Sequence, residues 1–261
     1  MAIKHILVPV SGTDADEARL DEAIALAKAS GADVTALHVK PRPAVYPVGP
    51  AGDIPVTLIE EQEREIEARA RRAEAKVLTK AEEARVDIEW HCEEGDVASV
   101  IGTHARYADL IVASPDLTRD LVFESGAPVL AFPKAAKPAR PKHALIAWNG
   151  SRESARAVHD VMPLIENIEQ VDVLVIDPPE DRAIGADLAR SLGRHGIAAE
   201  VRERKSEKRD VGELLLEEAK ISGADLLVMG AYGHSRLREW VFGGATETAL
   251  EEAAIPVLLS H

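Results

Sequence analysis

The residues best suited to chemistry form a glycine-rich stretch near the end of the chain, "MGAYGHSRLREWVFGGATE", which directly follows an apolar run. Its glycines are Gly230, Gly233, Gly243 and Gly244. Glycines let a backbone turn tightly and present N–H groups to an anion without obstruction by side chains. The stretch therefore indicates a loop that binds an anion at the carboxyl end of a strand.

Neighbouring residues favour the same interpretation. His234 and Arg236 bring positive charge into a chain whose net charge is −14. Ala245 and Thr246 open a helical pattern, with Thr246 as the expected cap, and a helix N-terminus attracts phosphate. The spacing matches neither the Walker P-loop nor the dinucleotide fingerprint. The pattern alone thus leaves both nucleotide binding and an ordinary turn open.

The elements that would position this loop come from an internal repeat. "KHILVPVSGT" from Lys4 and "KHALIAWNGS" from Lys142 align in register, a shift of 142 − 4 = 138 residues. Each copy alternates strand-like and helix-like segments, which predicts five mostly parallel strands covered by helices. Ligands of such sheets bind beyond the carboxyl ends of the strands. The segment "AWNGS", which starts at Ala147, should therefore face the glycine loop.

The repeat also predicts the domain boundaries. We expect domains at 1–135 and 141–261, joined by the proline-spaced linker from Pro133 to His143. The first copy adds a proline-rich excursion, 41–55, and a long charged helix over 60–84. Its charges are most simply a solvated face with i,i+4 pairs, the alternative being a surface for a partner.

The first copy acts as an internal control for the glycine loop. Asp109 aligns with Asp225 at a shift of 116, whereas Thr118 aligns with Thr246 at a shift of 128, so 128 − 116 = 12 residues are missing from the first copy. They fall where the glycine loop stands in the second copy. The loop is therefore unnecessary for closing the fold.

Composition excludes several kinds of partner. A net charge of −14 opposes binding to a nucleic-acid backbone. A lone cysteine, Cys92, forms no internal disulfide and is typical of a reducing compartment. The sequence contains no apolar run of about 18 residues. We therefore expect a cytoplasmic protein without membrane insertion, although peripheral association with a membrane protein stays open.

The combined motifs resemble the universal stress protein family. The evidence is the glycine spacing, the strand openings "ILVPVSGT" and "LIAWNGS", and the closing strands "PVLAF" and "PVLLS". The resemblance implies an α/β fold of two tandem Rossmann-like (adenine nucleotide alpha hydrolase-like) domains, each with a parallel sheet of order 3-2-1-4-5. It also implies an intrachain pseudo-dimer in which the two closing strands meet, and leaves a further homodimer open.

Members that keep the glycine signature bind ATP, so the resemblance implies ATP, ADP or AMP here, with Mg²⁺ held by the phosphates. Ala147, Trp148 and Asn149 would line the adenine and ribose side, and Val175 and Ile176 would contact the base. The ribose and phosphates would lie on Met229, Gly230, Gly233, Gly243, Gly244, Ala245 and Thr246, with His234 and Arg236 nearby.

Some positions depart from the family pattern. Asn149 stands where Asp is usual, Gly244 replaces Ser or Thr, and Trp148 would either stack on adenine or partly fill the pocket. In the first copy Val10 and Ser11 replace Trp148 and Asn149, and the glycine loop is missing. We therefore predict one nucleotide per chain, in the C-terminal copy.

The sequence favours a nucleotide-responsive regulatory protein that acts in stress through a protein partner it does not identify. No catalytic residues are assigned. His234, Thr246 and Glu247 are near enough to consider for hydrolysis but form no recognisable catalytic set. The alternatives are a nucleotide-independent structural or chaperone-like protein with a vestigial pocket, and a slow ATPase.

Overall fold

A computed structural model describes residues 2–42, 56–134, 136–137, 140–165, 168–232 and 244–261. The first half contains β1 (His5–Pro9), α1 (Asp16–Ser30), β2 (Asp33–Pro41), α2 (Val56–Ala84), β3 (Ile88–Gly95), α3 (Val97–Ala105), β4 (Leu110–Ala113), α4 (Pro115–Glu124) and β5 (Val129–Ala131). The second half contains β6 (His143–Ala147), α5 (Arg152–Ile165), β7 (Gln170–Ile176), α6 (Ile184–Arg194), β8 (Ala199–Arg204), α7 (Val211–Ser222), β9 (Leu226–Gly230), α8 (Ala245–Glu252) and β10 (Val257–Ser260).

All of these strands belong to one continuous sheet of order β3-β2-β1-β4-β5-β10-β9-β6-β7-β8. Pairing within each half is parallel. The strands of each half therefore lie side by side in the order third, second, first, fourth, fifth. The fold is α/β, as the repeat predicts, because each apolar strand feeds a helix that returns over the sheet.

The two halves join through their closing strands, β5 and β10, which are the antiparallel pair of the sheet. Leu130 lies opposite Leu258, its counterpart at the repeat shift of 258 − 130 = 128. One cluster of buried apolar side chains includes residues from both halves, among them Ile6, Ile146 and Leu258. The halves consequently share a core as well as a sheet.

Helix α2 has both the solvent-exposed charged face that the sequence predicts and a buried apolar face. The expected i,i+4 pairs are present, for example Arg69 Nε to Glu65 at 3.0 Å. However, Ala70, Ala73 and Val77, spaced three and four residues apart, are buried, so one face of α2 packs inward. The excursion before α2 lies outside the described residues from 43 to 55.

The linker lies one residue earlier than predicted. Its described residues contain no helix or strand between Ala131 and His143, but His143 is itself the first residue of β6. The His143 side chain is buried, and its Nε2 lies 3.0 Å from the carboxylate of Asp172 on β7. Ala136, within the linker, is also buried in the shared core.

Candidate functional site

The carboxyl ends of three adjacent strands bring most of the described candidate residues together. Strand β6 lies between β7 and β9, with Ala147 opposite Leu174 and Ile146 opposite Val228. Ala147, Ile176 and Gly230 therefore end neighbouring strands at one edge of the sheet. Predicted residues Gly233, His234, Arg236 and Gly243 lie outside the described residues.

Asn149 is exposed just beyond β6 and is oriented by its own backbone. Its Oδ1 accepts a hydrogen bond from the N–H of Ser151 at 3.0 Å, an Asx turn. This leaves the side-chain amide N–H₂ to donate outward. Asn149 thus offers donors where a family Asp would offer acceptors.

Trp148 is an anchor. Its indole Nε1–H donates to the carbonyl oxygen of Ile184, the first residue of α6, at 3.0 Å, and its ring packs against the shared core. The bond ties the end of β6 to the start of α6. The two roles predicted for Trp148 at a ligand, stacking on adenine and partly filling the pocket, stay predictions.

The side chain of Val175 faces the core. A Cβ on Gly185 of α6 would come within 3.0 Å of Val175 Cγ2 and 2.7 Å of Val201 Cγ1, so α6 packs directly on Val175. Ile176, on the opposite face of the strand, is only partly buried. Any contact from Val175 to a ligand would therefore have to come from its backbone.

Gly230 has a structural role that the sequence did not reveal. It is the last residue of β9 and not part of a turn, so the predicted tight turn at Gly230 is wrong. A Cβ there would lie 2.4 Å from the backbone nitrogen of Ser154 and 2.5 Å from the carbonyl carbon of Glu153. The glycine lets the start of α5 pack on the end of β9.

The N-terminus of α5 is already occupied by an acidic side chain. Glu153 is buried, and a hydrogen bond from its own backbone N–H is the main cause that holds the pKa of its carboxyl below the ordinary value. A carboxylate thus neutralises this helix end beside Gly230. A phosphate would meet repulsion from Glu153 here.

At the N-terminus of α8 the acidic residue of the first turn, Glu247, has its carboxylate bonded to Arg119 and Tyr232. The N-cap of α8 is Gly244, which has no side chain with which to cap, so the prediction that Thr246 caps the helix is wrong. Thr246 is the second residue of the helix, is buried, and its Oγ1 accepts from the N–H of Tyr232 at 3.4 Å. Helix N–H groups without a side-chain cap and a threonine hydroxyl suit an anion.

A cluster of residues links both ends of the glycine loop to the first half of the chain. Arg119 on α4 reaches Glu247 at 2.6 Å and Glu251 at 3.0 Å, both on α8. The Tyr232 hydroxyl also donates to Glu247, and the Tyr232 and Phe123 rings lie 4.7 Å apart. No sequence motif indicated the contacts to α4, because they join residues more than a hundred positions apart.

The charge of Glu247 follows from this cluster. Burial opposes its ionisation, but the hydrogen bonds from Tyr232 and Arg119 outweigh that effect, so the pKa of its carboxyl is lowered. Glu247 is therefore a carboxylate committed to structural partners. This arrangement disfavours Glu247 as the base that activates water in hydrolysis.

In the first half, the loop after β1 corresponds to the Asn149 loop after β6. The protein's own Asp16 side chain fills it. The Asp16 carboxylate is buried and accepts hydrogen bonds from the N–H groups of Ser11, Gly12 and Thr13 at 2.7–3.1 Å. It also pairs with the buried Arg19. The N–H groups that could meet an anion after β1 are thus already satisfied.

The structure also shows that the first half lacks the loop that follows β9 in the second half. Strand β4 ends at Ala113 and α4 begins at Pro115, whereas β9 ends at Gly230 and α8 begins at Ala245. Helix α4 follows its strand almost at once, with Ser114 as N-cap. The fold closes without the insertion, as the repeat comparison indicates.

These features define a tandem doubly wound α/β protein with a candidate anion site in its second half. The chain belongs to the universal stress protein family, whose model matches residues 2–114 and 141–261.

Known relatives agree with this assignment. Universal stress protein Slr1230 of Synechocystis sp. is 40% identical over 77 residues, and the match covers 26% of this chain and 26% of that relative. A universal stress protein of Archaeoglobus fulgidus has a TM-score of 0.75 at 16% identity, over 98% of this chain and 95% of that one. A functionally unknown protein of Pseudomonas aeruginosa PAO1 gives 0.62 at 15% identity, over 99% and 92%. At these identities the structural matches show a common fold.

No described helix is long and apolar enough to cross a membrane. Among the described residues, no group of three or more His, Cys, Asp or Glu side chains is arranged to hold a metal ion.

Proposed function

We propose that the C-terminal half, residues 141–261, binds ATP or a related adenine nucleotide and that the protein is a nucleotide-responsive regulator in the cytoplasm. The observation that carries the proposal is the N-terminus of α8, which has no side-chain cap and follows a segment after β9 that the first half lacks after β4. Membership of the universal stress protein family supports it.

In this proposal the base and ribose lie near Ala147 and Asn149, with Asn149 donating from its amide. The phosphates lie at Gly244, Ala245 and Thr246 and along the glycine loop, where the helix N–H groups supply partial positive charge. Any Mg²⁺ is held chiefly by the phosphates.

In this proposal the first half, residues 1–135, serves as a scaffold and carries part of the surface at which a protein partner senses the bound nucleotide. Since Tyr232 and Glu247 stand at the two ends of the loop and both contact α4, a change in loop order on binding would be transmitted to Arg119 and Phe123. The α4–α8 surface is thus the place where a protein partner would sense occupancy.

Calorimetric titration of the whole chain with ATP, AMP and GTP, with and without magnesium, tests the proposal. We expect one adenine nucleotide per chain, with Gly243→Val and Thr246→Val weakening binding at least tenfold. Gly193→Ala is the control, because a Cβ on Gly193 meets nothing within 4 Å. Two nucleotides per chain, or full binding by Gly243→Val, would overturn it.

A phosphate-release assay on the same samples separates binding from a slow ATPase. We expect bound nucleotide to be recovered unhydrolysed over the titration. Sustained turnover that disappears in Thr246→Val would instead assign hydrolysis to this site.

A further inference from the structure

The first half contains a cavity of about 720 Å³ at the carboxyl edge of the sheet, separate from the candidate nucleotide site. The ends of β1 and β2 and the start of α4, just after β4, contribute to its lining. Strand order reverses beside β1, which has β2 on one side and β4 on the other. Doubly wound sheets bind their ligands in the crevice at such a reversal, and the volume is within the range of small-molecule sites.

Helix α2 forms one wall of this cavity. It has 29 residues, whereas its counterpart α6 in the second half has 11, and Ile66 is among the α2 residues that line the cavity. Lys80 Nζ of α2 lies 2.8 Å from Asp21 of α1, and Lys40 Nζ of β2 lies 3.0 Å from Glu67 of α2. These ion pairs join α2 to both α1 and β2, so the wall is held in place without a ligand.

The interior of the cavity is aliphatic. Among the described lining residues the sole aromatic ring is that of His38, which is only 4% exposed, so a nucleobase has no open ring face on which to stack. The apolar side chains that line the cavity include Val10, Leu37, Val39, Ile66, Ile101 and Leu117. Such walls suit an alkyl chain, because apolar surface gains free energy when it leaves water.

Two features of the lining oppose the phosphates of a nucleotide. The N–H groups of residues 11–13, in the loop after β1, already donate to the buried carboxylate of Asp16. Helix α4, whose start borders the cavity, has Pro115 in its first turn, which has no N–H, and the acidic Asp116 next to it. Neither the loop nor the helix therefore offers a cradle for several negative charges.

The charges at the opening favour a ligand with one negative charge. Arg42 lines the cavity, is exposed, and forms no ion pair with any described residue. A guanidinium can bind a carboxylate through two parallel hydrogen bonds. A carboxylate that stays at the opening keeps part of its hydration, so it avoids the cost of a buried charge. The other charged lining residues already have partners of opposite charge: Arg19 with Asp16, Arg69 with Glu65, and Asp116 with Arg119.

We propose that this cavity binds an aliphatic monocarboxylate. Its alkyl chain lies along the apolar walls, and its carboxylate stays at the opening beside Arg42. The site is independent of the nucleotide site beyond β6, β7 and β9, since the two lie in different halves of the chain.

Calorimetric titration of the whole chain with decanoate, below the concentration at which it forms micelles, tests the proposal. We expect one decanoate per chain, and weaker binding of decyltrimethylammonium, a cation with the same alkyl chain. Octanoate should bind about tenfold more weakly than decanoate, because each buried methylene contributes about threefold to fourfold in affinity. No saturable binding of decanoate, or binding of the cation as tight as that of decanoate, would overturn the proposal.

Arg42→Gln tests the contact with the carboxylate. It should weaken decanoate binding about twofold to fivefold, the usual contribution of an exposed ion pair, and leave the binding of 1-decanol unchanged. Arg64→Gln is the matched control, because Arg64 is an exposed arginine of α2 outside the lining, and it should leave both probes unchanged. No loss for decanoate in Arg42→Gln, or an equal loss for both probes, would refute the assigned position of the carboxylate.

Two variants that fill the cavity locate the bound decanoate. Ile66→Trp acts from α2 and Val97→Trp from α3, and each should abolish binding. Both positions are only partly buried, and urea unfolding verifies that the variants are folded. Leu78→Trp, at an exposed position of α2 outside the lining, should bind decanoate normally. Undiminished binding by both filling variants, or one-for-one displacement of decanoate by ATP, would refute a separate site in the first half.

Discussion

Replacing Gly230 by alanine tests whether this residue serves packing before it serves any ligand. The added Cβ would lie 2.4 Å from Ser154 N, whereas ordinary contacts begin near 3.4 Å, so β9 and α5 must separate by about 1 Å. Both neighbouring atoms belong to the helix backbone and cannot turn aside. Overpacking of this kind costs about 1–3 kcal/mol.

A loss of about 2 kcal/mol corresponds to a fall in Tm of roughly 4–8 °C for a chain of this size. Thermal and urea unfolding of Gly230→Ala without nucleotide measures it, with Gly193→Ala, inside helix α6, as the control that should be no less stable than the original chain. If Gly230→Ala is as stable as the original chain but binds ATP more weakly, the packing explanation is wrong. Gly243→Val is accordingly the better test of the nucleotide site.

Three further perturbations follow from buried or paired carboxylates. Asp16→Ala removes the acceptor for the loop after β1 and the partner of buried Arg19. The free energy of unfolding measured in urea should therefore fall by about 3–5 kcal/mol. The double variant Asp16→Ala, Arg19→Met should recover part of this loss. The pKa of the Glu247 carboxyl is lower in the folded chain than in the unfolded chain, so its ionisation stabilises the fold at pH values above the unfolded pKa. This stabilisation is lost as the pH falls through the pKa of the folded chain. The difference in urea midpoint between the original chain and Glu247→Gln should therefore shrink below about pH 4.5; a constant difference would contradict the assigned pairing with Arg119. Glu153→Gln removes a buried negative charge beside Gly230, so ATP titration should show tighter binding, and weaker binding would mean that Glu153 assists the ligand.

Much of the architecture could be predicted from local patterns. The aligned openings at Lys4 and Lys142 predicted the tandem repeat, and alternating strand and helix patterns predicted the α/β sheet. The 12-residue difference between the copies predicted where the loop stands and that the fold closes without it, because an insertion between two aligned elements needs no tertiary information to be recognised.

The roles of individual site residues were harder to predict. The sequence pattern indicated that Gly230 is a turn residue. Only the close approach of α5 to Gly230 in the structure shows why a side chain is excluded there. Thr246 read as a cap, but α8 begins one residue earlier, at Ala245. Such assignments depend on distances between elements, which a local pattern does not contain.

The sequence by itself determined the repeat, the strand and helix alternation and the loop on which a nucleotide proposal can be based, since these follow from residue type and spacing along the chain. Only the tertiary structure decided that Asp16 fills the first loop, that Arg119 meets Glu247 across 128 residues, and that Arg42 and Ile66 line one cavity. Those arrangements arise where separate elements pack together, so their partners and burial are set by the folded core.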